Sequence, residues 1–210
     1  MAGLGAWLNA TAGRPAAAER WAEMAKGGPV DGATPSRGPT ADGTLALVRA
    51  ALCRDGIKRM RADAEAALTQ VPAGSASQAT AYLLVGISFL MAGDHDGADR
   101  RLADAIEAGE GAGADSAMVA LSERALLAIE LGAWQEAETL AEPASSGAGN
   151  GRPERDPTKA LLHAVTARLA IRHGDVPRAR GELARAEELR PQLTWALPTS
   201  PSRSGCCGCS

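Results

Sequence analysis

Aromatic side chains are nearly missing from this 210-residue sequence: Phe, Trp and Tyr make up 3% of it, while 45% of it is apolar. The core must then be filled by Ala, Leu, Val and Ile, and residues that favour strands are too few to build a sheet. Ala is the strongest helix former, which places the chain in the all-α class. No apolar run approaches the roughly 18 residues of a membrane-span candidate, and residues 1–12 lack the positive flank of a signal peptide. A cytoplasmic location without membrane contact is the expectation. Basic clusters are missing as well. With a formal charge of −3 and Arg interspersed among Asp and Glu, no stripe is built to neutralise a phosphate backbone. Direct contact with nucleic acid is not expected.

Cysteine chemistry is equally thin. Cys206, Cys207 and Cys209 crowd the last five residues and Cys53 stands alone in a helical stretch. That spacing forms neither a disulfide framework nor a zinc site. The terminal residues from Cys207 to Ser210 formally fit a prenylation box, but its middle positions are not aliphatic and nothing upstream is polybasic. With no His near it in sequence to serve as a base, Cys53 reads as a small buried core residue.

Signatures of catalysis are also missing: there is no Walker loop, no G-x-S-x-G elbow and no H-E-x-x-H pair. His95 and His173 flank turns, and His163 lies on a helix with no second ligand at i+3 or i+4. The acidic pairs Glu187-Glu188 and Asp94/Asp96 read as solvated charge. Trp7, Trp21, Trp134 and Trp195 read as staples between helices rather than the lining of a groove. No catalytic, metal or cofactor residue is assigned, and the chain is not read as an enzyme.

What is present is a repeat. Five helix-to-helix turns align on Gly13, Asp55 (with Gly56 beside it), Gly93, Gly132 and Gly174, which lie 38 to 42 residues apart. Five positions downstream of these stand Ala18, Met60, Ala98, Ala137 and Ala179; twelve positions downstream stand Ala25, Ala67, Ala105, Ala144 and Ala186. Glycine at a reversal adopts backbone angles that other residues resist. Small residues just beyond it let the second helix of each pair approach the first. Nine positions after the turn an apolar residue such as Leu102 or Leu183 is expected to close the gap between helices, and Pro72 and Pro191 end second helices.

The middle unit carries the pattern into its first helix. Tyr82, Val85, Gly86 and Phe89 fall at the large, apolar, small and aromatic positions of the tetratricopeptide repeat, followed by Gly93, Ala98, Leu102 and Ala105. This resembles the tetratricopeptide family and implies a right-handed superhelix of about five antiparallel helix pairs, an α-solenoid. The period exceeds the family's usual length, so longer helices are expected. Turns, caps and breakers place the helix pairs near residues 4–11 and 15–26, 45–53 and 58–70, 77–92 and 97–108, 114–131 and 134–144, and 158–173 and 177–189. Asp156-Pro157 is a helix-start signal, and Trp195 marks the start of a sixth unit that does not complete.

Two tracts break the pattern. Residues 27–43 read as a flexible loop, and so does the Gly- and Ser-rich tract 145–155. The repeat domain is assigned to residues 1–197 and a disordered tail to 198–210. Both the second tract and the tail lose helical periodicity abruptly, as they would if read out of frame relative to a longer ancestor, and the last unit is then expected to expose apolar surface for want of a cap.

The order of segments is similar to the helical sensor region of MalT-like regulators of the LuxR family. The residues that carry this begin at Ala6 (AWLNATAGRPAAAERWAE), Ala51 (ALCRDG), Leu83 (LLVGISFLMAGD), Leu131 (LGAWQEAETLAEPA) and Ala160 (ALLHAVTARLAIRHGDVPRARGELARAEELRPQLTWALP). In that family an ATPase precedes the repeats and a DNA-binding helix–turn–helix follows them; neither is found in this sequence. The resemblance implies a ligand- or protein-binding sensor module for transcription regulation, here a fragment, taking a protein, peptide or small-molecule inducer in a concave groove. The alternative is a free-standing scaffold for a peptide or protein partner. A third class is an accessory subunit of an enzyme.

Overall fold

The computed structural model describes Ala6, Asn9 and residues 14–26, 40–110, 114–147 and 158–189. Among these residues the chain is all-helical, with no strand. The helices are α1 (Pro15–Lys26), α2 (Ala41–Leu52), α3 (Gly56–Leu68), α4 (Ala76–Ala92), α5 (His95–Gly109), α6 (Ala114–Glu130), α7 (Trp134–Gly147), α8 (Lys159–Arg172) and α9 (Val176–Leu189). Gly13, residues 27–39 and 148–155, Asp156-Pro157, Pro191 and the tail 198–210 lie outside the described residues.

Local chemistry sets the boundaries. Helix α2 begins at Ala41 because the Thr40 hydroxyl accepts a hydrogen bond from the Gly43 amide at 3.0 Å, satisfying one of the donors a helix start leaves open. Residues 41–43, expected to be loop, are therefore helical. Helix α4 opens in the same manner: Ser75 Oγ accepts from the Gln78 amide at 3.2 Å, and Gln78 Oε1 accepts from the Gly74 amide at 2.7 Å. Helix α7 also overruns its expected end. Pro143 lies within it and removes one backbone donor, yet the helix continues through residues 145–147.

Three of the turns are built alike. Gly93, Gly132 and Gly174 have φ of 77°, 79° and 76°. After each, the next amide bonds back across the helix end: Asp94 to Phe89 at 3.0 Å, Ala133 to Ala128 at 2.8 Å and Asp175 to Ala170 at 2.9 Å. This closure satisfies carbonyls that the helix end would otherwise strand. The second unit departs from it. Its left-handed cap is Cys53, at φ 44°, and Gly56 is also left-handed at φ 84°. Cys53 stands seven residues before Met60, whereas Gly93 stands five before Ala98, so this turn is two residues longer. Cys53 is half-buried at the cap, not enclosed in the core as its isolation in the sequence suggested.

Packing follows a fixed scheme. Each second helix (α1, α3, α5, α7) packs on the first helix of the next unit, and each first helix (α2, α4, α6, α8) packs on its own partner α3, α5, α7 or α9. The first helices also meet one another, α2 with α4, α4 with α6 and α6 with α8, while no comparable packing joins α3 to α5, α5 to α7 or α7 to α9. First helices are accordingly wrapped on nearly every side. Residues 83–88 of α4 and 125–129 of α6 are all buried, as expected of helices that are apolar around most of their circumference.

At the small-residue positions, Ala18, Ala98, Ala137 and Ala179 are buried, and Met60 is buried in the second unit. Ala67 and Ala105 are buried too, and Ala186 is half-buried. Ala25 and Ala144 lie on α1 and α7, but their side chains are outside the described residues. Leu102 is fully buried. Leu183 is not: it is 47% exposed, which corrects its expected role as a gap filler. Among the described residues helix α9 packs substantially on α8 alone, so no second described helix covers that side.

Candidate binding surface

The residue immediately after the small position is polar in every unit: Glu19, Arg61, Asp99, Glu138 and Arg180. In four of the five it reaches forward to the next unit. Glu19 pairs with Arg54 Nη1 at 2.9 Å. Arg61 donates to Ser88 Oγ at 3.0 Å and to the Ser88 carbonyl at 3.3 Å, with its guanidinium carbon 3.6 Å from the centroid of the Phe89 ring. Asp99 accepts both ends of the Arg124 guanidinium, at 2.7 and 3.2 Å. Glu138 Oε1 lies 2.8 Å from His173 Nε2. In those four units the position, about 100° around the helix from the small residue before it, faces the next unit. Charged hydrogen bonds between helix pairs fix their register as well as adding strength.

Other polar contacts bind the two helices of one unit. Asp63 on α3 is buried and takes Arg49 Nε from α2 and Arg59 Nε from its own helix, each at 3.1 Å. His163 Nδ1 on α8 lies 2.7 Å from Glu182 Oε2 on α9. These contacts give His163 and His173 partners that no local motif advertises.

Among the described residues, hollows open on the edge where the turns lie, two of which concern the polar residues above. The larger, about 770 Å³, is lined by the turn residues Gly132 and Ala133, by Trp134, Gln135, Glu136 and Glu138 of α7, and by Arg172 and His173 at the end of α8. Arg172 stacks on the indole of Trp134, with its guanidinium carbon 5.1 Å from the ring centroid, a cation–π contact that holds both side chains at the rim. The smaller, about 290 Å³, is lined by His95, Asp96, Asp99 and Arg100 of α5, by Arg124, Leu127 and Ala128 of α6, and by Leu131 and Glu136. Glu136 borders both. The larger hollow thus offers an aromatic face flanked by carboxylates, a guanidinium and an imidazole, groups that can orient a ligand bearing both polar and flat apolar parts.

Among the sequence-level candidates, Trp134 is half-buried under Arg172 and lines the larger hollow, while Trp21 on α1 is 41% exposed. Trp7 and Trp195 lie outside them. Asp94 caps α5, accepting from the Gly97 amide at 2.8 Å, Asp96 borders the smaller hollow, and Glu187 and Glu188 are exposed on α9. No group of three or more His, Cys, Asp or Glu among the described residues is placed to hold a metal ion, and no described helix is long and apolar enough to cross a membrane. The hollow residues Arg172 and Glu138 carried no motif in the sequence, although a charged residue directly after each small position is visible once the units are aligned. No protein-family model matches the chain and no curated protein is significantly similar to it.

Proposed function

We propose that this chain is a ligand- or protein-binding helical-repeat module without catalytic activity, a tetratricopeptide-like superhelix of the sensor type found in MalT-like LuxR-family regulators. One observation carries the architecture: first helices pack on each other along the stack, while second helices do not do so to a comparable extent. A row of touching helices beside a row of separated ones is the arrangement that curves a helical-repeat stack toward the touching row, and it supports the superhelical reading. The regulatory assignment rests on the segment order described above.

The ligand is assigned to the turn-edge hollow around Trp134 rather than to a channel along the first helices. Residues 83–88 of α4 and 125–129 of α6 are already enclosed by their neighbours, leaving little of those helices to line a groove.

Thermal-shift measurement on the whole chain tests this, using a small-molecule inducer panel and a peptide array. A ligand present at one hundred times its Kd raises stability by about 2.7 kcal/mol, and Trp134→Ala removes that rise. A ligand that stabilises wild type and Trp134→Ala alike would place binding elsewhere. Stabilisation by peptides but by no small molecule would favour the free-standing scaffold.

A further inference from the structure

The last unit leaves open a surface that every earlier unit covers. Nine positions after the turn, Ala22, Ala64, Leu102 and Ala141 are no more than 7% exposed, but Leu183 is 47% exposed. Three positions before the turn, Leu52, Leu90 and Ile129 are no more than 6% exposed, but Ile171 is 59% exposed. Val176 is exposed beside them. On α9, Val176, Arg180 and Leu183 share one stripe by helical spacing, and the corresponding stripe of α3, Ile57, Arg61 and Ala64, belongs to a helix that packs on the following first helix α4.

We propose that this face docks an amphipathic helix from a partner protein, one that presents an aromatic ring and an adjacent hydroxyl or carboxylate to Arg180. The chemistry is read from Arg61, the other arginine at this position. Arg61 uses a serine hydroxyl, a main-chain carbonyl and the face of Phe89 on the helix packed against it. Arg180 stands at the same register point, is exposed, and is bordered by apolar side chains that a helix would bury.

Residues 190–210 are a poor occupant. A helix begun after Pro191 meets Pro198, which limits it to about 9 Å at about 1.5 Å per residue, against about 20 Å for the 14 residues of α9. Residues 190–210 hold one aromatic residue, Trp195, beside the hydroxyl of Thr194, and no Asp or Glu, so the recognition pair is present there only on a segment too short to span the stripe of α9. This inference rests on the packing scheme and not on the sensor assignment, so it stands or falls separately.

A fluorescein-labelled peptide with the sequence of residues 76–92, extended by glutamates for solubility, is the probe, because that helix serves Arg61. Fluorescence anisotropy with the full chain should show saturable binding, weakened at least about tenfold, or about 1.4 kcal/mol, by Arg180→Glu and abolished by Leu183→Asp. Arg185→Glu, away from the stripe, should leave it unchanged. Circular dichroism should show all three variants folded, since each site is exposed. Binding indifferent to the Arg180 and Leu183 substitutions, or no saturable binding, overturns the proposal. A concentration-dependent dimer that Leu183→Asp converts to monomer also overturns it, in favour of a second copy. So does a fall in melting temperature caused by Leu183→Asp without peptide, which would mean that the chain covers the face itself.

Discussion

Leu102 occupies the space that a side chain on Gly86 would need. A Cβ built on Gly86 would stand 2.8 Å from both Cγ and Cδ2 of Leu102 and 3.3 Å from its backbone nitrogen. The close approach of α4 and α5 therefore depends on the missing methyl group, and the fully buried Leu102 fills the interface in its place. Gly86→Ala should cost about 1–3 kcal/mol, because relief requires moving backbone as well as side chain. Chemical denaturation of the two proteins measures it, and an unchanged midpoint would refute the packing account.

Glycines in different settings should respond with opposite sign. Gly132 caps α6 at φ 79°, and Gly132→Ala places a Cβ in the left-handed region at a cost of about 1–2 kcal/mol. Gly181 lies inside α9, is exposed, and a Cβ there meets nothing within 4 Å. Gly181→Ala should therefore stabilise by about 0.5–1 kcal/mol by restricting the unfolded chain. Thermal unfolding of both variants checks the pair of signs.

The ion pair between Asp99 and Arg124 should couple neighbouring units. Arg124 is 19% and Asp99 45% exposed on their side chains, so solvent screening limits the interaction. A double-mutant cycle of Asp99→Ala and Arg124→Ala should give a coupling of about 0.5–1 kcal/mol, at the upper end for exposed pairs because the contact is bidentate. Raising salt should reduce it. The same-helix pair Arg101–Asp104, 3.0 Å apart and more exposed on the arginine, should couple by no more than about 0.5 kcal/mol.

Thr40 holds the start of α2 and also touches α3's end, with its hydroxyl 2.8 Å from Gln70 Oε1. Thr40→Ala should destabilise by about 1 kcal/mol and Thr40→Ser by much less. Hydrogen exchange at the Gly43 amide, whose bond is lost in the first variant and kept in the second, reports the local effect.

Helix pairs are legible in the sequence because their signals are local. Gly93, Gly132 and Gly174 announce a chain reversal through their own backbone freedom, and the alanines beyond them mark a helix face by spacing alone. The second unit was less legible. Asp55 aligned with the other turns, but the left-handed cap is Cys53, because two extra residues precede Met60 and a side-chain-bearing residue can take the cap when surrounding contacts hold it there. The candidate binding surface was scarcely legible. Trp134 and Arg172 are 38 residues apart in sequence and meet because α7 packs on α8, a relation that neither residue encodes nearby.

The sequence by itself determined helix class, the turns at Gly93, Gly132 and Gly174 and the helix face on which Ala98, Ala137 and Ala179 lie, since helix propensity, caps and spacing act over a few residues of one chain segment. Tertiary structure alone decided which side chains at the repeated polar position find a partner, where hollows open, and that Leu102 is enclosed while Leu183 faces outward. Those outcomes depend on whether another helix stands alongside. Burial belongs to a residue and its spatial neighbour together, and two leucines in the same register of the same repeat can therefore meet opposite fates.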